Sequence, residues 1–297
     1  MTRIKMGLSQ KYIFMCWLFV LPVLLFRMLT SLYPIITAFY YSLLDYDLIA
    51  RTKEFGGLIN FMRLTENQAF LDSLSFTFRF TVFSLCGIIV FGTSLALLLK
   101  QDFGGRKILR TVALIPWGLP TIIVAIAGSW AFNDSFGIVN DMIRRIGFSE
   151  FSFGWLSSNT GAQAAVIMVN IWKNTPFFAI MMLAAFQGIP NELFESARID
   201  GASATRIFIK ISMPYVMRTF ILAIIFVGIW QINSFEIVYG MTRGGPGFAT
   251  SLLSYRLFME ATRNLNYGMA SAIASVMFMI TAAFGAIGLY LYRKVDY

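Results

Sequence analysis

The chain reads as an all-α integral membrane protein of six transmembrane helices. Three observations carry that reading: an apolar composition, six separated apolar runs of spanning length, and basic residues concentrated in alternate loops. Of the 297 residues, 58% are hydrophobic and 13% charged, against about 25% charged in an ordinary soluble domain. The runs are 12–41, 76–99, 109–132, 164–186, 216–239 and 269–292, and each reaches the roughly 20 residues a helix needs to cross hydrocarbon. They form a single transmembrane domain over 1–297.

The first run spans about 30 residues and holds Pro22 and Pro34, so it is expected to be kinked, tilted or partly projecting beyond the bilayer. It is too long for the apolar core of a signal peptide, and no small-residue cleavage site follows it, so the N-terminus is expected to be retained. Cys16 in this run and Cys86 in the second read as small apolar residues, not as a disulfide or a metal pair. Three cations within spans read as buried, Arg27, Arg79 and Lys173, whereas Glu236 is the one acid within a span.

Orientation follows from the remaining Lys and Arg, which are enriched in cytoplasmic loops. One side collects Arg3, Lys5, Lys11, Lys100, Arg106, Lys107, Arg110, Arg198, Arg206, Lys210, Arg218, Arg293 and Lys294. The other has Arg51, Lys53, Arg63, Arg144, Arg145, Arg243, Arg256 and Arg263, together with most of the acids. Both termini and the loop between the fourth and fifth runs are therefore expected inside. The same bias accounts for the net charge of +9 without a nucleic-acid partner, since no basic patch with interleaved exposed aromatics is present.

Enzymatic chemistry finds little support. The chain has no histidine, which removes the commonest general base and metal ligand, and no nucleophile and base stand together. Gly244, Gly245 and Gly247 belong to neither a GxxxxGK[ST] nor a GxGxxG pattern, so the chain is not expected to bind ATP.

In the fourth run, Asn170, Lys173, Asn174 and Phe177 recur at i, i+3, i+4 and i+7, placing three hydrogen-bonding groups and a ring on one helix face. Val227, Trp230, Gln231 and Ser234 repeat the spacing in the fifth run. Polar groups cost about 2.5–3.5 kcal/mol at the centre of a span on insertion scales, so such faces turn toward a cavity or a partner. Amides beside an aromatic platform suit a saccharide. Asn and Gln also join neighbouring helices in lipid, and at this point both readings stand.

Between these runs lies a charged, helix-prone loop, 190–214. Pro190 and Asn191 open it, good helix formers fill Glu192 to Arg198, and Gly201 interrupts them between Asp200 and the small residues Ala202 and Ser203. Two short helices around a tight bend are expected, with Pro214 at the start of the fifth span. A rigid hairpin of this kind is a surface that a soluble subunit can grip.

Four stretches carry a resemblance to a known family. ESARIDGAS, followed by Phe208, Ile211 and Pro214, resembles the EAA loop of membrane subunits of binding-protein-dependent ABC importers; Glu195, Ala197, Asp200 and Gly201 match, and Ser196 is a small-for-small change. MTRGGPGFAT, from Met241 to Thr250, resembles the GGP segment of maltose-permease-like sugar permeases. FGGLINFMRL, from Phe55 to Leu64, and YGMASAIA, from Tyr267 to Ala274, resemble further stretches of that family.

The resemblance implies a type I ABC importer permease fold in a bacterial or archaeal plasma (inner) membrane, multi-pass with both termini cytoplasmic. It implies as partners a second homologous permease, two copies of an ATP-binding subunit, an extracellular or periplasmic solute-binding protein, a carbohydrate substrate and membrane lipid. No cofactor is expected in this chain, because ATP and Mg would bind the partner ATPase. Glu195, Ser196, Ala197, Asp200, Gly201, Ala202 and Ser203 would form the coupling contact, while Asn170, Lys173, Asn174, Phe177, Val227, Trp230 and Gln231 fall where such permeases line their sugar site. The Gly-Gly-Pro segment would shape an external loop, equally a turn and a docking surface.

The three intramembrane cations raise the expectation of an acidic or phosphorylated saccharide. Against it stand pairing of those cations with acids of the second permease and simple bonding of Lys173 to sugar hydroxyls. An ion-coupled secondary carrier is the alternative from another class, favoured by Glu236, Arg79 and Lys173 and disfavoured by the lack of an inverted repeat. A polytopic membrane enzyme ranks last.

Overall fold

The structure, a computed structural model, describes residues 8–295. Its helices are long because the hydrocarbon offers no partner for backbone amides, so each crossing segment must bond within itself. The first begins as α1 (Leu8–Arg27), passes through a π-helical turn, Met28–Leu32, and continues as α2 (Tyr33–Ser42). A two-stranded hairpin follows, β1 (Leu44–Asp47) antiparallel to β2 (Thr52–Phe55), and then α3 (Ile59–Glu66) and the crossing helix α4 (Gln68–Lys100). Next come α5 (Arg106–Gly118), α6 (Thr121–Ala131), the short α7 (Ile138–Arg145) and α8 (Asn159–Gln187). Beyond α8 lie α9 (Asn191–Ile199), α10 (Ala204–Ile207), a second π turn, Phe208–Ser212, and α11 (Met213–Ile232). The chain closes with α12 (Glu236–Met241), α13 (Leu253–Thr262) and α14 (Tyr267–Lys294).

Among the described residues, five helical stretches are long and apolar enough to cross, and the pair α5 and α6 makes a sixth if counted as one broken span. That pair corrects the expected uninterrupted helix 109–132: its halves meet at 93°. Pro120 has no N–H to continue the ladder, and the residue before a proline is driven to an extended backbone, as Leu119 shows at ψ 142°. A second correction concerns the fifth run, expected at 216–239. Helix is continuous over Ala204–Ile232 and breaks at Asn233–Phe235 before α12.

Pro214 accordingly does not start a span. Its ring would collide with the carbonyl four residues back, and the π turn just before it widens the ladder there; Met213 bonds instead to the Phe208 carbonyl. The same device precedes Pro34, where Tyr33 bonds to the Met28 carbonyl.

α4 and α8 form the most extensive helix pair. Two buried clusters share its length. Toward the α9 end, Ile88, Phe178, Met182 and Phe186 pack with Val216 and Val227 of α11. Toward the hairpin end, Phe76, Phe80, Val166 and Val169 pack with Ile237, Val238 and Leu252. α1 stands away from this body, exposed from Tyr12 through Leu32, while α2 returns to α14 through an edge-on contact of Phe39 with Phe278.

The motifs at the hairpin end serve as fasteners. Asn60 of α3 is buried and donates from Nδ2 to the carbonyls of Ser42 and Leu44 at 2.9 and 2.7 Å, holding α3 to the junction of α2 and the hairpin. Gly268 lies against the Leu44 carbonyl, where a Cβ would not fit. The Arg63 guanidinium bonds Asp45 at 2.8 Å and holds its carboxyl below the usual carboxylate range. In the Gly-Gly-Pro loop, Gly244 has φ +82° and Gly247 φ +56°, the Gly245–Pro246 bond is cis, and the Thr250 hydroxyl bonds the Gly245 carbonyl at 2.7 Å.

α11 and α14 approach through glycines on both sides: a Cβ at Gly228 would be driven into the Phe284 ring, and one at Gly288 into Ile225. Gly228→Ala is therefore expected to destabilise the folded protein in detergent by about 1–3 kcal/mol, read as a lower midpoint of thermal unfolding. Gly285→Ala, whose nearest neighbour is 4.0 Å away, is expected to leave that midpoint in place or raise it.

Candidate functional site

The break between α5 and α6 creates the site. Where α5 ends, the carbonyls of its last turn have no amide ahead of them, and in lipid such groups require a donor. Lys173 supplies it: Nζ donates to the Trp117 carbonyl at 3.3 Å and to the Leu119 carbonyl at 3.0 Å. The side chain is buried at 6% exposure, and its positive charge sits at a helix C-terminus, where the backbone dipole favours a cation. One of its three ammonium protons remains for another partner.

Around this ammonium the elbow, α8, the end of α11 and the 233–236 segment enclose a cavity of about 470 Å³. Asn170, Lys173 and Asn174 line it from α8, Trp230 and Gln231 from α11, and Trp117 and Thr121 from the elbow. Asn170 Nδ2 donates to Gln231 Oε1 at 2.6 Å and so joins α8 to α11, and Asn174 Nδ2 donates back to the Asn170 carbonyl and Oδ1 at 2.9 Å. Phe177 stacks on Trp117 at 5.4 Å and meets Trp230 at 4.6 Å, a three-ring contact beside the amides.

Phe177, half-buried, is not in the cavity's lining and stands behind Trp117 and Trp230, and Val227 is further removed. It is fully buried in the cluster with Ile88 and Phe178 and lines no part of this cavity. Sequence spacing alone placed it with its neighbours because a helix face is wider than the strip that a cavity touches. Trp117, Thr121, Asn233, Phe235 and Glu236 also line the cavity; the sequence reading named only Glu236 among them, and Trp117 and Thr121 escaped it with the elbow itself. Gly118-Leu119-Pro120 was the available signal.

The other two intramembrane cations are not at this site. Arg27 is exposed on α1. Arg79 lies toward the hairpin end, where Nη1 donates to Gln163 Oε1 at 3.1 Å and Gln163 Nε2 donates to the Ala249 carbonyl at 2.6 Å. A larger groove of about 720 Å³, lined by Phe91, Val112 and Trp172, is apolar and offers a ligand no charged group.

At the opposite end of α8, Pro190 opens α9. Its C-terminus is a Schellman turn: the Ala202 amide bonds the Ala197 carbonyl at 2.9 Å and the Gly201 amide the Arg198 carbonyl at 3.0 Å. Gly201 supplies the left-handed residue, φ +73°, and Ser203 caps α10 by accepting from the Arg206 amide. Ala197 is buried, whereas Glu195, Ser196, Asp200, Gly201 and Ser203 are exposed and Ala202 is half-buried. Ile199 projects at 86% exposure, a large apolar side chain on a bare surface. Phe194 anchors the helix from below, beneath Lys100 Nζ at 4.1 Å from its ring centre.

Residues 88–297 match the family described as binding-protein-dependent transport system inner membrane component. Similar proteins include the sulfoquinovosyl glycerol transport system permease protein SmoG of Agrobacterium fabrum, 33% identical over 93% of this chain and 89% of that protein. The trehalose/maltose transport system permease protein MalF of Thermococcus litoralis is 34% identical over 90% of each chain. Among solved structures, a chain of a bacterial ABC transporter for alginate, in complex with its pentasaccharide-bound periplasmic protein, superposes with a TM-score of 0.83 over 96% of both chains at 20% identity, a likeness of fold.

If Lys173 closes the elbow, Lys173→Met leaves two carbonyls without a donor, a loss of about 1–3 kcal/mol. Backbone hydrogen exchange at Ile123 and Val124, whose amides bond the Pro120 carbonyl just past the break, is expected to quicken about tenfold or more relative to the α4–α8 core. Unchanged exchange there would show that the ammonium does not hold the break.

Proposed function

Because the chain belongs to the inner-membrane components of binding-protein-dependent transport systems, we propose that it is the permease subunit of an ATP-driven carbohydrate importer whose cargo passes the cavity at the elbow. It is a transport subunit with the type I importer permease fold, and hydrolysis belongs to a separate subunit. The ion-coupled carrier weighed from the sequence is not retained.

The observation that carries the mechanism is the placement of cavity and handle on the same two helices. α8 and α11 face each other across the Asn170–Gln231 bond, and the chain between them is α9, its Schellman turn and α10. Short breaks at 188–190 and 200–203 are the only interruptions between the two cavity walls. A displacement of α9 therefore acts on both walls together.

In this reading a homologous permease completes the pathway, two ATP-binding subunits carry ATP and Mg, and a solute-binding protein delivers the saccharide at the hairpin end. Both termini lie on the cytoplasmic side with α9. Closure of the ATPase pair pulls Glu195 to Ser203, opens the cavity outward, and hydrolysis resets it inward. Asn170, Asn174 and Gln231 would bond sugar hydroxyls, Lys173 would offer its remaining proton, and Trp230, backed by Phe177, would stack on the sugar's CH face. The burial of Val227 supports a packing role for it behind that wall.

Gly201→Pro and Glu195→Lys are expected to abolish ATP-dependent uptake while leaving membrane insertion intact, the first by removing an amide from the Schellman turn and the second by reversing charge on the gripped face. The assay is uptake by proteoliposomes holding the complete complex. Wild-type rates in both variants would sink the coupling role of α9.

A further inference from the structure

The relatives' names leave the charge of the cargo open, since a sulfoquinovosyl glycerol permease and a trehalose/maltose permease are almost equally similar to this chain. The charges inside the cavity bear on the choice. Lys173 is the one cation lining it, and two of its protons are held by the Trp117 and Leu119 carbonyls, whose helix end carries partial negative charge. Glu236 lines the same cavity, and it makes no salt bridge with any other described residue of this chain.

We infer that Glu236 is a specificity residue that balances Lys173 and excludes anions, so that the cavity takes an uncharged saccharide. This rests on the cavity being the cargo site. An added carboxylate or sulfonate meets no net positive charge, because the exposed Glu236 carboxylate offsets the Lys173 ammonium on the same cavity wall, so an anion gains no attraction there to offset the water it gives up. Hydroxyls meet a different surface: Asn170, Asn174 and Gln231 offer amide groups, the ammonium one proton and Glu236 an acceptor. The expectation of an acidic cargo drew on three cations, of which Arg27 and Arg79 lie elsewhere and Lys173 already serves the elbow.

The test uses the complete complex in nanodiscs and matched pairs of probes: neutral di- and trisaccharides, and the same sugars with one C6 oxidised to a carboxylate. Binding is read from tryptophan fluorescence, since Trp117 and Trp230 line the cavity. Neutral members are expected to bind at least about tenfold more tightly than their carboxylate partners, a difference that a single close like charge can supply. Glu236→Gln, a change of charge at constant shape, is expected to shrink that ratio toward one. Carboxylates that bind as well as or better than the neutral sugars in the wild type would overturn the inference, as would a ratio unmoved by Glu236→Gln. Both failures would leave the cavity as the saccharide site. Loss of all binding on replacing Asn174 with Ala, which keeps both reporter tryptophans, would uphold the site itself, whereas no response to any sugar in the wild type would remove the site and this inference together.

Discussion

Everything in the cavity depends on one demand of the membrane: a carbonyl left without an amide partner in hydrocarbon has to find another donor. The 93° bend between α5 and α6 leaves such carbonyls at the end of α5. Lys173 reaches them from α8, so the ammonium that makes α8 polar is also what permits the bend. Pro120 breaks the helix in any case, and without a donor from α8 the carbonyls at the break would stay unbonded and destabilise the elbow wall formed by Trp117 and Thr121. The polar face of α8, the aromatic contact of Phe177 with Trp117 and the cavity are thus consequences of one bonding arrangement.

The same helix supplies the mechanical link. α8 is clamped along α4 by Phe178, Met182 and Phe186 on one side and tied to α11 by the Asn170–Gln231 amide bond on the other. Force delivered at α9 meets a turn closed by two backbone bonds and a glycine, which resists bending more than an open loop would. Phe194, held beneath Lys100, anchors the short helix to the bundle. The fold therefore joins an exposed surface at one end to a polar cavity deep in the bundle through packed helices.

Much of this was legible in the sequence, for physical reasons. Apolar runs of spanning length reveal themselves because lipid tolerates few alternatives, and the i, i+3, i+4 spacing of Asn170, Lys173 and Asn174 put them on one face because helix geometry is fixed. Gly201 read correctly as a bend, since a left-handed residue at a helix end is what glycine supplies at least cost. The elbow was missed because hydropathy averages over a window and is blind to one Leu-Pro step at 119–120, even one that turns the chain through a right angle. Val227 was misplaced for the opposite reason: periodicity marks a face, and only packing decides which part of the face meets a cavity. Pro214 misled because its π turn leaves no trace in composition. The role of Lys173 could not be read from the sequence, since its partners are backbone carbonyls some 54–56 residues away in the chain.

The central claim is that events at α9 reshape the cavity. It is tested most directly by measuring, in the assembled complex, the distance between spin labels placed at Thr121 and Asn233, two residues lining the cavity from opposite elements, in a chain whose exposed Cys16 and Cys86 have been replaced by serine. The account predicts one distance without nucleotide and a clearly different one when the ATPase subunits are trapped closed with ATP. A single distribution, unchanged while the ATPases close, would contradict it.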